Sequence, residues 1–286
     1  MKASIILSGL LFLNATCSVP VMGKLIHEKA FFKGNYIAED TSQIRNLLIR
    51  SFKLEIVPPS SGVQFYRNGI IFLSYSKADE KVPERHVSFG ALKTYTSLIA
   101  DTLPVNLTPF NLEGQVLFPS EATTFSSDYK TMYLSLIPEN SKNEKIFRAD
   151  LTQEGWKIDP DPIEICSDDQ IYSHPCLSPD GKFLIFSSDM SGTKGGLDLF
   201  ITRLEGDNWT KPQNLGQNIN SEGNELFPTL DSRNNLLFSS DGFQGEGGYD
   251  VFICRYNGTG WEKPQNLTVI NSKDDELAFT INKLES

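Results

Sequence analysis

Two segments of this chain carry aspartates beside paired glycines, and these aspartates are the first candidates for chemistry. Gly195-Gly196 precedes Asp198, and Gly247-Gly248 precedes Asp250. Carboxylates in flexible loops can bind Ca²⁺, which takes oxygen ligands. The candidate metal ligands are Asp189, Asp198, Asp241 and Asp250. The alternative, which we favour, is that each carboxylate accepts hydrogen bonds from loop amides and orders a long hairpin.

Other catalytic patterns are sparse in this sequence. The three histidines are His27, His86 and His174, and they belong to no nucleophile-elbow or zinc-protease motif. Two loop carboxylates on one face of the fold could still act on a glycosidic bond. We therefore keep a glycan-binding or glycan-hydrolysing protein as the alternative to a non-catalytic one.

Composition indicates a globular protein and argues against nucleic acid as a partner. Of the 286 residues, 39% are hydrophobic, which is enough for a buried core. The formal net charge is −10, whereas phosphate binding needs clustered lysine and arginine. We expect a monomer with no nucleic-acid partner and with no cofactor other than the candidate calcium ion.

The N-terminus predicts export. An uncharged, mostly apolar run over 3–15 has the length of a signal-peptide core and is too short to span a bilayer. We predict a signal peptide over 1–23, with cleavage near 16–23, and no transmembrane span. Asn14-Ala15-Thr16-Cys17 resembles a bacterial lipobox, in which Cys17 would be acylated. Two locations stay open: a soluble periplasmic protein, and a lipoprotein associated with the outer membrane.

The cysteines predict thiols rather than a disulfide framework. If Cys17 is removed or acylated, Cys166, Cys176 and Cys254 remain, which is an odd number. We expect these three side chains to be buried thiols.

The elements that position the candidate residues repeat with a period of 52 residues. Ser187-Ser188-Asp189 recurs as Ser239-Ser240-Asp241, and a Trp-x-Lys-Pro-x-Asn-Leu string recurs from Trp209 to Trp261. A fixed period of this length, filled with short strand-like runs, is typical of a propeller blade or a solenoid unit. We predict one domain over 24–286. Its repeats span 61–115, 116–170, 171–225 and 226–276.

One repeat has the pattern of a four-stranded unit. Phe183-Leu184-Ile185-Phe186 is apolar at every position, so this strand must be covered on both faces, as it is between stacked blades. The fourth strand carries Pro212, and its counterpart carries Pro264. Proline removes a ladder donor and is typical of edge strands, so the fourth strand is predicted to be the outer edge of the blade.

The two ends of the chain are predicted to complete the ring. The closing strand at 277–281 aligns with the first strand of a repeat. Apolar segments within 31–57 supply candidate partner strands, with a short helix near 42–48 as the competing interpretation. We predict an all-β fold, a β-propeller of four-stranded antiparallel blades. The preferred count is five blades, with the ring closed by N- and C-terminal strands, and four or six stay open.

The remaining motif residues each have a functional and a structural interpretation. Glu225 and Glu276 stand just before first strands, where they could line a central channel, but we favour bridges between adjacent blades. Trp156, Trp209 and Trp261 could stack on sugars, but their spacing favours one packing role per blade. The residues assigned to the structural repeat are Gly195, Gly196, Asp198, Trp209, Pro212, Glu225, Gly247, Gly248, Asp250, Trp261, Pro264 and Glu276.

The sharpest motifs resemble a known family. Ser178-Pro179-Asp180-Gly181-Lys182, followed by an apolar strand and Ser-Ser-Asp, resembles the TolB-like propeller repeat, a WD-repeat-like family of bacterial envelope proteins. The Gly-Gly-x-Asp and Trp-x-Lys-Pro-x-Asn-Leu strings are similar to a Bacteroidetes variant that often precedes an OmpA-like domain, as in envelope components of the type IX secretion system. The resemblance covers 173–281. It implies a scaffold that binds envelope proteins, and not an enzyme.

Overall fold

The regular structure of this protein consists of β-strands. The computed structural model describes residues 10–11, 57–67, 69–75, 92–100, 103–110, 112–113, 119–138, 141–277 and 280–281. Every regular element in these ranges is a strand, which confirms the all-β prediction. The same ranges contain no helix with the length and apolar character that a membrane crossing requires.

Blades 1 and 2 are two sheets whose strands lie between residues 57 and 158. The strands up to this point are β1 (Leu10–Leu11), β2 (Val57–Tyr66), β3 (Gly69–Tyr75), β4 (Leu92–Ala100), β5 (Leu103–Pro109), β6 (Leu112–Glu113), β7 (Pro119–Phe125), β8 (Thr131–Leu136), β9 (Lys145–Leu151) and β10 (Trp156–Ile158). Blade 1 has the order β2-β3-β4-β5, and blade 2 has the order β7-β8-β9-β10 with β6 outside β10.

Blades 3 and 4 follow with the same antiparallel order. Their strands, with the closing strand, are β11 (Tyr172–Leu177), β12 (Phe183–Ser188), β13 (Asp198–Glu205), β14 (Asn208–Trp209), β15 (Gln213–Asn214), β16 (Glu225–Leu230), β17 (Leu236–Ser240), β18 (Asp250–Cys254), β19 (Gln265–Asn266) and β20 (Thr280–Ile281). In blade 3, β14 and β15 both pair with β13. Blade 4 has the order β16-β17-β18-β19.

The first strands of the blades form a closed ring. β2 lies beside β7, β7 beside β11, β11 beside β16, β16 beside β20, and β20 beside β2. β20 pairs antiparallel with β1, so residues from both terminal regions form the fifth sheet, here called blade 5. The Thr280 hydroxyl donates to Gln64 Oε1 at 2.9 Å where blade 5 meets blade 1. This arrangement confirms a propeller closed by its terminal strands.

The N-terminal partner of the closing strand differs from the segment that we expected. The pairing uses Leu10–Leu11, which lies inside the predicted signal peptide, so cleavage near 16–23 would remove β1. A closing strand offers its backbone groups to any extended segment that reaches it, which a sequence pattern cannot resolve. Cys17, the candidate segments up to residue 56 and the alternative helix near 42–48 lie outside the described residues. The signal peptide and the lipid anchor stay predictions.

The outermost strands also differ from the predicted ones. The fourth strand of blade 3 is interrupted between β14 and β15, where Pro212 has no N–H for the ladder. In blade 4, which carries Pro264, the bridge between Tyr256 and Trp261 is isolated from β19. Blade 2 is not purely antiparallel, because β6 pairs in parallel with β10 and places Leu112 opposite Trp156.

A shared turn fixes the register of blades 2 and 3. In blade 3, the Ser178 hydroxyl donates to Asp180 Oδ1 at 2.7 Å. In blade 2, Ser126 and Asp128 make the same bond at 2.7 Å, and they lie 52 residues earlier. The repeat period therefore extends into blade 2, and it aligns the strands that follow each turn.

The hydrophobic core lies between blades. All six residues of β12 are buried. One cluster joins Tyr133 and Ile146 of blade 2 to Leu184 and Phe186 of blade 3, and a second cluster joins blades 3 and 4. The sheet of blade 3 is therefore covered on both faces, which explains why β12 has no polar side.

Candidate functional site

The Gly-Gly-x-Asp loop of blade 3 is ordered around one buried carboxylate. Asp198 begins β13 and is fully buried. It accepts hydrogen bonds from the backbone N–H groups of Lys194 (2.8 Å) and Gly195 (3.2 Å) and from Asn214 Nδ2 (2.8 Å). These donors tie the loop to the start of its own strand.

Blade 4 repeats this arrangement. Asp250 begins β18, is buried, and accepts the backbone N–H groups of Glu246 and Gly247, each at 3.1 Å. In both blades, two backbone N–H groups of the loop bind the aspartate. The motif therefore places a carboxylate within hydrogen-bond distance of the loop backbone.

Asp189 and Asp241 accept hydrogen bonds from a different set of donors. Asp189 accepts the backbone N–H of Ile171 at 2.7 Å, and Asp241 accepts the backbone N–H of Asn224 at 2.6 Å. Each therefore caps the segment that enters the first strand of its own blade. Among the described residues, no group of three or more His, Cys, Asp or Glu is arranged to hold a metal ion.

The paired glycines let the loop lie directly on the next linker. A Cβ atom on Gly195 would lie 2.0 Å from the carbonyl oxygen of Gly223. A Cβ atom on Gly247 would lie 2.2 Å from the carbonyl oxygen of Asp274. Because real Cβ atoms do not approach backbone oxygen this closely, a larger residue would force the loop and linker apart.

Glu225 and Glu276 bind linker residues at the junctions between blades. Glu225 is fully buried, and its carboxylate accepts bonds from the Ser221 backbone N–H (3.1 Å), the Ser221 hydroxyl and the Ser240 hydroxyl (2.8 Å). Glu276 is bound in the same way by Ser272.

Burial controls the acidity of these two carboxyl groups. It raises the pKa of Glu225 and of Glu276, because the charged form loses water. The charges of Asp198 and Asp250 act in the same direction on Glu225 and Glu276 respectively. The serine donors oppose the shift. At each of these two junctions, the protonation of a buried carboxyl group therefore depends on how the blades pack.

The junction between blades 2 and 3 is centred on a lysine. Lys145 lies opposite Leu136, as Asp198 lies opposite Ser188 and Asp250 opposite Ser240, so Lys145 occupies the aspartate position of the repeat.

The Lys145 ammonium orders the linker as a hydrogen-bond donor, whereas the aspartates in the later blades are acceptors. It is buried and donates to three backbone carbonyls of the linker, those of Ser167, Asp168 (3.1 Å) and Gln170 (2.5 Å). Burial lowers the pKa of Lys145, because the ammonium loses water. The repeat motif did not reveal this residue. A search for aspartate does not find a lysine, which carries the opposite charge but orders the equivalent segment.

The glutamate position of the repeat is also changed at this junction. Tyr172 lies opposite Ser188, as Glu225 lies opposite Ser240, and its ring lies 5.3 Å from the Lys145 ammonium. In the later junctions, the hydroxyls of Ser187 and Ser239 donate to the backbone carbonyls of Glu225 (2.8 Å) and Glu276 (2.7 Å). The register equivalent in blade 2 is the fully buried Ser135, whose hydroxyl has no hydrogen-bond partner among the described residues.

Each tryptophan contacts the blade before its own. Trp156 Nε1 donates to the Tyr66 hydroxyl at 3.3 Å. Trp209 packs edge-on against Tyr133 at 5.6 Å between ring centroids, and Trp261 packs against Phe183 at 6.0 Å. The three indoles pack between blades in the described structure.

The bulges of the first strands bring aromatic side chains together at the centre of the ring. His174 and Phe227 occupy the bulges of β11 and β16, both with φ of 51°, and their rings lie 3.9 Å apart. Phe227 and Ala122 form an apolar cluster flanked by Leu226 and Leu277. Burial lowers the pKa of His174 to about 3, so the imidazole is neutral.

The thiols carry no disulfide in the described part of the chain. Cys176 and Cys254 are buried, and Cys166 is half-buried. Burial raises the pKa of Cys166 to about 11 and that of Cys254 to about 12, so both stay protonated at neutral pH.

Comparison with known proteins gives structural neighbours only. No family model and no curated protein matches the sequence. TolB from Acinetobacter baumannii is 18% identical with a TM-score of 0.46, over 73% of this chain and 43% of that one. A putative TolB from Agrobacterium tumefaciens is 19% identical with a TM-score of 0.43, over 69% and 60%. An alpha-L-arabinofuranosidase from Lactobacillus brevis is 15% identical with a TM-score of 0.41, over 68% and 70%.

Proposed function

We propose that this chain is a non-catalytic β-propeller of the cell envelope that binds other envelope proteins. The binding surface is the face that carries the loops 189–197 and 241–249 with the linkers between blades, here called the loop face. The observation that carries the proposal is the set of buried charges beneath this face. Asp198, Asp250 and Lys145 are all engaged with backbone groups of loops and linkers.

A surface ordered in this way favours protein recognition. The loops are fixed before a partner arrives, so less conformational entropy is lost on binding. The exposed side chains on the two loops include Lys194, Gln244 and Glu246. The TolB-like character of the repeat motifs supports the same role.

The glycan-active alternative finds less support. The carboxylates of Asp198 and Glu225 are buried and accept bonds from loop and linker donors. Two of the bulge residues at the centre of the ring are His174, with its neutral imidazole, and the apolar Phe227. A glycosidase would instead need two carboxyl groups facing a common space.

Export to the periplasm, free or anchored through Cys17, belongs to this proposal. Mass spectrometry of the mature N-terminus tests it. A diacylated N-terminal Cys17 would identify the lipoprotein, an unacylated N-terminus produced by cleavage near 16–23 would identify a soluble form, and an intact Met1 would contradict export by cleavage.

Site-specific crosslinking in the producing bacterium tests the binding surface. A photo-crosslinking residue at Lys194 or Gln244 should capture one envelope protein. The matched control is Lys130, which is also exposed but lies on the turn after β7 of blade 2, at the opposite end of the sheets. Capture of no envelope protein from the loop face, or equal capture from both ends, would contradict the proposal.

A further inference from the structure

The outer edges of blades 3 and 4 carry equivalent residues. Arg203, Trp209 and Lys211 recur 52 residues later as Arg255, Trp261 and Lys263. In both blades the residue after the tryptophan donates its backbone N–H to the arginine carbonyl at 2.8 Å. The alternation of an antiparallel ladder then turns the tryptophan N–H away from the sheet, toward the outside of the ring.

In blades 2 and 3, other parts of this chain cover that edge. In blade 2, β6 runs in parallel beside β10, with Leu112 opposite Trp156. In blade 3, the Trp209 N–H donates to the Glu164 carboxylate, which comes from the acidic linker before the blade. The equivalent position is thus filled once by a strand and once by an acidic segment.

In blade 4, no described segment of the chain covers the same edge. No acceptor among the described residues meets the backbone N–H of Trp261, although its indole Nε1 donates to the Asn234 carbonyl at 2.7 Å. Tyr256 is 36% exposed, and its ring lies 5.6 Å from that of Trp261. Arg255 and Lys263 are exposed on either side.

We propose that the blade 4 edge, defined as Arg255, Tyr256, Trp261 and Lys263, binds an acidic segment of a partner protein. A carboxylate of the segment accepts the Trp261 N–H, as Glu164 accepts that of Trp209. The two cations outweigh the single exposed carboxylate of Glu262, so the edge complements an acidic segment. Tyr256 supplies the apolar contact.

This site is separate from the loop face. The hairpins that carry Trp209 and Trp261 follow the third strands, whereas the loops 189–197 and 241–249 precede those strands, so the two surfaces lie at opposite ends of the sheets. The inference therefore goes beyond the proposed function, and either can fail without the other.

A peptide copied from this chain provides the probe. A synthetic peptide with the sequence of residues 159–168, with Cys166→Ser and blocked ends, carries the segment that fills the blade 3 edge. Isothermal titration calorimetry against the whole protein should give saturable binding. The peptide with Glu164→Gln should bind more weakly, because it loses the carboxylate.

Paired protein variants locate the site. Arg255→Glu with Lys263→Glu should weaken peptide binding by about tenfold or more, because two attractive charges become repulsive. The matched control is Arg203→Glu with Lys211→Glu, at the edge that Glu164 already fills, and it should stay within about twofold of the parent protein.

Three results would overturn the inference. They are no binding by the parent protein, an equal loss in both double variants, and a dimer of the parent protein that only the blade 4 variant dissociates. The last result, read by analytical ultracentrifugation without peptide, would assign the edge to a second copy of the chain. Crosslinking from Lys194 should be unchanged in the blade 4 variant, which keeps the two proposals distinguishable.

Discussion

The junction between blades 2 and 3 and the junction between blades 3 and 4 perform the same structural task with opposite charges. At the former, the Lys145 ammonium donates to linker carbonyls. At the latter, the carboxylates of Asp198 and Glu225 accept from loop and linker donors. The repeat therefore preserves the position of a buried charge and the segment that it orders. It does not preserve the sign, because a backbone offers both donors and acceptors.

The largest expected effect tests whether close contact defines the carboxylate junction. Gly195→Ala places a methyl group on the Gly223 carbonyl, and we expect the free energy of unfolding to fall by about 3 kcal/mol. The control is Gly206→Ala, at φ of 63° but in open space, which should cost about 1–2 kcal/mol. Chemical denaturation measures both. Equal losses would show that loop-linker contact is not the distinguishing feature.

The next effect tests the lysine junction. Lys145→Met keeps most of the side-chain volume but leaves three linker carbonyls without their donor, so we expect a loss of about 2–4 kcal/mol. Lys130→Met, at an exposed lysine of the same blade, should stay within about 0.5 kcal/mol of the parent. Hydrogen exchange of 166–170 should accelerate in the first variant only. Unchanged hydrogen exchange in this linker would show that Lys145 does not order it.

A smaller effect compares equivalent serines. Ser187→Ala removes a bond to the Glu225 carbonyl and should cost about 1 kcal/mol. Ser135→Ala removes a buried hydroxyl that has no hydrogen-bond partner within the described part of the chain, and we expect no loss or a slight gain in stability. Thermal and denaturant unfolding of the two variants measure the difference. Equal losses of stability at Ser135 and Ser187 would contradict the difference in hydrogen bonding between the two junctions.

The smallest effect is a pH dependence confined to the carboxylate junctions. Because burial raises the pKa of Glu225 in the folded state, the folded protein holds this proton more tightly than the unfolded chain. Its contribution should stabilise the fold as pH falls from the raised value toward the ordinary value of about 4.3, and be lost as pH rises through the raised value. Glu225→Gln should flatten this part of the stability profile, whereas exposed Glu154→Gln should not.

The sequence predicted the parts of this structure that depend on local pattern. An apolar run such as 183–186 has to be covered on both faces, and Pro212 lacks a ladder donor, so the blade and the position of its outer strand in blade 3 were foreseeable, whereas the interruption of that strand was not. The role of Lys145 was not foreseeable, because only the strand register shows that it occupies the aspartate position of the repeat. The cover of β10 by β6 was also missed, because two residues at Leu112–Glu113 carry no periodic signal.

The bond between Thr280 and Gln64 joins residues 216 positions apart. Most contacts inside a blade close over a few tens of residues, whereas this one waits until nearly the whole chain has left the ribosome. Loop-closure entropy grows with the logarithm of chain separation, so ring closure is a slow, late event in folding. Until then β16 and β2 each lack a neighbour, and a nascent chain exposes both ends of an open ring to chaperones and to other nascent copies.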